Sequence, residues 1–64
     1  MITEATLEWD GLNLYRVMGT RREFVGTVVR DSFQQLWSVW VRGEAIDNRY
    51  TSEAAAKTAL EKFA

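Results

Sequence analysis

The 64-residue chain has no cysteine, no histidine and no proline. Without cysteine there is no disulfide to staple a small fold, and a reducing compartment is the natural setting. Losing cysteine and histidine together removes the two commonest ligands for transition metals. Histidine is also the side chain best suited to general-base work near neutral pH, so catalysis has little to draw on. There is no nucleophilic thiol, no glycine-rich phosphate loop and no metal-ligand cluster; the expectation is a protein without metal or cofactor, and not an enzyme. No apolar run approaches the ~20 residues of a membrane span, and no basic segment followed by an apolar one opens the chain. A soluble, cytoplasmic protein is expected.

Large aromatic residues are what the chain does have: three Trp, two Tyr and three Phe. Each can bury ~150–250 Å², which matters in a domain small enough that only ~60% of its surface is buried on folding. Idealised packing or self-association must supply the rest. The formal charge of −1 hides a segregated pattern. Residues 1–11 carry Glu4, Glu8 and Asp10 with no base; residues 12–50 carry all six arginines against four acids; the last fourteen balance two lysines against two glutamates. Arginine suits planar and stacked contacts, lysine a solvated helix surface.

Alternating apolar stretches read as strands over about 5–9, 12–18, 23–30 and 36–42, with a further short edge segment over about 45–50. Asp10-Gly11 marks a hairpin, Gly19-Thr20-Arg21-Arg22 a turn, and Gly26 a bulge or a close backbone neighbour. The period then changes. Residues 52–63 form a helix opened by a Thr or Ser cap with Glu53 in the first turn, and its packing face holds Ala56, Ala59, Leu60 and Phe63. The expected architecture is α+β: one domain over 1–64, an antiparallel three- to four-stranded meander with one C-terminal helix packed on one face.

One helix covers one face of a sheet, and the other must meet water or a partner. In the Trp-rich strand, alternation separates Trp37, Val39 and Val41 from Leu36, Ser38, Trp40 and Arg42. The first set is denser in β-branched residues and is assigned to the helix side. The preceding strand divides into Val25, Thr27 and Val29 against Phe24, Gly26, Val28 and Arg30. The candidate binding surface is therefore Phe24, Val28, Arg30, Leu36, Trp40 and Arg42, an apolar patch with an arginine rim. Arg16, Arg21 and Arg22 are accessory candidates. The competing expectation is that the N-terminal hairpin or the Phe33 loop folds over Trp40 and makes it ordinary core.

Two resemblances bear on use. Val39-Trp40-Val41-Arg42, then Tyr50-Thr51 with Glu53, Ala55 and Ala56, resembles the strand and helix opening of the DNA-binding domains of plant ethylene-response factors and of integrase arm-binding domains. It covers about residues 24–64 and implies a sheet face entering a DNA major groove, with Arg42 and Arg30 as contacts. Trp40 stands where that family has an acidic contact, and the glycine before the aromatic is missing. Leu7-Glu8-Trp9, Val25-Gly26-Thr27-Val28, the Trp-rich strand and Ser52-Glu53-Ala54-Ala55 are similar to small phage and prophage accessory proteins. That resemblance implies a binding protein that blocks or redirects a host enzyme. The charge favours it, because duplex DNA binding normally shows a basic excess. The expected function is a non-enzymatic binding protein encoded by a phage or mobile element, its partner a host protein or a second copy of itself. The alternative is a small DNA-binding domain using the same face.

Overall fold

The computed structural model describes residues 5–64; Glu4, one of the three N-terminal acids, lies outside them. Strands β1 (Thr6–Asp10), β2 (Asn13–Met18), β3 (Arg21–Asp31), β4 (Leu36–Val41) and β5 (Glu44–Tyr50) are followed by helix α1 (Glu53–Glu61). The strands form one open antiparallel sheet in the order β1-β2-β3-β4-β5. The class is α+β, with five strands where three or four were expected. The fifth is full length because Val41 pairs with Glu44, so Arg42-Gly43 alone reverses the chain. Both turn residues have positive φ, 55° and 80°, the geometry that matches the twist of a two-residue hairpin.

Two other turns differ from expectation by a residue or two. Asp10 pairs with Asn13, so Gly11-Leu12 is the central pair rather than Asp10-Gly11. Met18 pairs with Arg21, which leaves Gly19-Thr20 as the whole turn and places Arg21 and Arg22 inside β3. Ladder hydrogen bonds outweigh the local turn character of this stretch.

The eleven-residue β3 organises the sheet. Its first half pairs with β2 and its second half with β4, giving a staggered ribbon with extents of 47 × 20 × 18 Å. Helix α1 starts at Ser52, whose Oγ accepts from the Ala55 N–H at 3.1 Å, and lies across β3, β4 and β5. Ala56 and Leu60 pack on Leu14, Val28 and Val39, and these five side chains form the core. Trp9 closes one end: its Nε1 donates to Glu61 at 3.3 Å, and the Lys57 ammonium sits 4.8 Å from the ring centroid. Phe63 is not part of this face. It lies past the last turn and is 57% exposed, because the helix ends two residues sooner than its apolar pattern.

Gly26 has both properties expected of it. Leu14 pairs with Gly26 and Tyr15 with Phe24, so Val25 is an extra, bulged residue. A Cβ on Gly26 would fall on the Trp40 carbonyl oxygen and 2.9 Å from Leu60 Cδ1. Only glycine lets β4 and the helix approach here. Among the described residues, no helix is long and apolar enough to cross a membrane.

Candidate functional site

Directly paired residues of an antiparallel ladder point to the same face, so the register assigns every side chain of β1 to β4. Val39 pairs with Val28, Trp37 with Arg30 and Val41 with Gly26; this is the helix side. Trp40 pairs with Thr27, Ser38 with Val29, Leu36 with Asp31, and Thr27 in turn with Asn13. Beyond the bulge the same face continues through Tyr15–Phe24, Val17–Arg22 and Glu8–Tyr15. The face opposite the helix therefore carries Tyr15, Phe24, Val29, Leu36 and Trp40, and no described element covers it.

Trp37 and Trp40 lie on opposite faces. Trp37 packs against the core from its edge. Trp40 is half-buried by its strand neighbours alone, and its Nε1 donates to Ser38 Oγ at 3.0 Å, while Ser38 Oγ donates to the Val29 carbonyl at 3.1 Å. Neither the N-terminal hairpin nor the Phe33 loop folds over it. The hairpin is part of the sheet, and Phe33 points away from the molecule.

Three of the six surface candidates lie on the open face: Phe24, Leu36 and Trp40. Val28 does not. It is 1% exposed and central to the core, because the bulge at Val25 reverses alternation between Phe24 and Gly26. Arg30 shares the parity of Val28 and so projects on the helix side. Arg42 is in the β4–β5 turn, on neither face, because two residues suffice to reverse the chain. The accessory arginines divide as well. Arg16 and Arg21 are on the helix side with Glu23, at 2.7 Å and 4.0 Å, whereas Arg22 is on the open face.

Arg22 is the centre of what strand counting missed. Its guanidinium carbon lies 3.8 Å from the Tyr15 ring centroid, and one of its amino groups donates to Glu8 at 3.2 Å. Tyr15 meets Phe24 edge to face, with centroids 5.5 Å apart and planes at 63°. A stacked, delocalised cation on an aromatic pair has the geometry that arginine favours. Tyr15 lay outside the expected site; its place in an alternating strand paired with that of Phe24 was the available signal.

Charge on this face is unlike that of the chain's centre. Over β1 to β4 its ionisable residues are Glu8, Asp10 and Asp31 against Arg22, a net of −2. On the helix side, the hydrogen bond and charge of Arg16 hold the Glu23 carboxyl below its ordinary value. The Arg49 hydrogen bond does the same for Asp47, which also accepts from the Tyr50 hydroxyl at 3.2 Å. Burial, with that hydrogen bond, raises Tyr50. These ion pairs organise the sheet and its edge. Comparison with family models, with curated proteins and with solved structures finds no match to this chain.

Proposed function

We propose that the protein is a non-enzymatic binding module that engages a protein partner through the open sheet face. The observation that carries this reading is the aromatic surface itself: Tyr15, Phe24 and Trp40 on one uncovered face, with Arg22 stacked on Tyr15. Aromatic residues and arginine are the enriched anchors of protein interfaces. Over β1 to β4 the face is acidic, which favours a partner surface with a basic rim and disfavours a second copy of the same four-strand surface, since two of these would bring −4 together. It equally disfavours duplex DNA, whose binding rests on cations that neutralise phosphate. Arg30 and Arg42, the arginines that would serve there, do not project from this face. The similarity to phage accessory proteins makes a host protein the first partner class to test.

A photo-crosslinking residue placed at Val29, on the open face, tests the reading against one placed at Thr58, on the solvent side of the helix. A discrete protein adduct in host cells from the Val29 position alone is expected, and Trp40→Ala in the same chain should remove it. Equal adducts from both positions, or a nucleic-acid adduct, would overturn it.

A further inference from the structure

A cavity of about 360 Å³ opens on the helix side, between β3, the end of β4 and the residues after α1. Its lining is more polar than apolar. Arg16, Glu23 and Arg42 meet Val25, Val41 and Phe63 around one opening, and Phe24 at its edge is the one residue shared with the open face.

Arg42 is out of place as a turn residue. The first position of a two-residue hairpin turn favours Asn, Asp or Gly, because φ is positive there; Arg42 holds φ 55°. A local rule broken in so small a fold points to a use for the side chain. Among the described residues no carboxylate pairs with Arg42. Arg16 gives one amino group to Glu23 at 2.7 Å, and its Nε is buried without an acceptor among the described residues. A buried donor left unpaired is costly, so an acceptor brought alongside this guanidinium stabilises the site. The end of α1 supplies none. The Ala59, Leu60 and Glu61 carbonyls already accept from the Lys62, Phe63 and Ala64 amides.

Two guanidinium groups against one carboxylate leave the lining side chains at +1. A singly charged anion balances that charge, whereas a dianion would be left facing Glu23. Guanidinium groups take carboxylates in paired hydrogen bonds, and Val25, Val41 and Phe63 give the rest of the molecule an apolar wall. The volume is at the small end of the ~300–1,000 Å³ range of ligand pockets and exceeds what one ring requires. We propose that this recess binds a bicyclic aromatic carboxylate, its anionic head between Arg16 and Arg42 and its rings against Val25, Val41 and Phe63. The site is separate from the open-face reading and stands without it.

Methyl NMR of the full chain, titrated with 1-naphthylacetate, tests the proposal. The Val25 and Val41 methyls and the Arg42 Nε–H signal should shift saturably. The isosteric amide, 1-naphthylacetamide, keeps the rings and loses the charge; acetate and inorganic phosphate keep charge and lose the rings. Each should bind about tenfold more weakly or worse. Arg42→Asn is the decisive variant, because Asn-Gly suits the turn better than Arg-Gly. It should raise the melting temperature by roughly a few degrees while weakening naphthylacetate about tenfold or more. An arginine with a purely structural role would give the reverse, a less stable variant that binds as well as wild type. No saturable shift in wild type, equal binding of the amide, acetate or phosphate, or unchanged affinity in Arg42→Asn would overturn the proposal.

Discussion

The two faces of the sheet are made of similar residues and end differently. On the helix side Leu14, Val28 and Val39 are sealed by Ala56 and Leu60. On the other, Tyr15, Leu36 and Trp40 are only half-buried, and Phe24 and Val29 are exposed. Apolar content does not separate them. What separates them is the reach of one helix: nine residues make a rod about 13.5 Å long, in a molecule 47 Å along its longest axis. A chain this short can cover one face in part and leaves the rest of its aromatic surface available for other molecules.

The sharpest way to break that comparison is to truncate one anchor on each face. Leu60→Ala should cost about 2–5 kcal/mol in chemical denaturation, most of the stability of so small a domain. Trp40→Ala should cost only about 1 kcal/mol, roughly half of a full side-chain burial. Equal losses would mean that the open face is core.

Gly26→Ala comes next, with an expected loss of about 1–3 kcal/mol from overpacking. The added methyl would meet the Trp40 backbone and Leu60, so β4 and the helix must part. A variant as stable as wild type, measured by its melting temperature, would show that β3 and β4 are less close than described.

The smallest expected effect is electrostatic. Glu23 and Asp47 titrate below their ordinary values of 4.5 and 3.8, chiefly through Arg16 and Arg49 respectively. A carboxyl lowered by folding contributes stability that is complete above its unfolded pKa and lost as pH falls through the folded one. The loss should therefore begin as pH falls to the ordinary Glu23 value of 4.5, continue through that of Asp47, and be modest, since both pairs are solvent-accessible. Carboxyl NMR titration checks it: folded pKa values at or above the ordinary ones would remove these pairs from the account.

Much of the fold was legible because local chemistry and tertiary packing agree. Period-2 stretches became strands, the alanine-rich segment capped at Ser52 became the helix, and Trp37, Val39 and Val41 faced it. The open face was legible only in part. Counting alternate residues through β3 put Val28 beside Phe24, and a single bulged residue at Val25 placed them on opposite sides. Arg42 was counted as strand, although it forms half of a two-residue turn. Tyr15 and Arg22 were not joined to the site because their contact depends on the register between β2 and β3.

The sequence by itself determined the kinds of element, their order, and the conflict at Trp37 and Trp40, since a spacing of three in a strand must send two rings to opposite faces. Tertiary structure alone decided which side of β3 is core, that Arg22 stacks on Tyr15, and that Phe33 projects while a pocket opens near Phe63. The physical reason is that strand alternation carries no memory across a bulge. Register is set by hydrogen bonds to a neighbouring strand, and a shift of one residue exchanges every side chain between core and solvent.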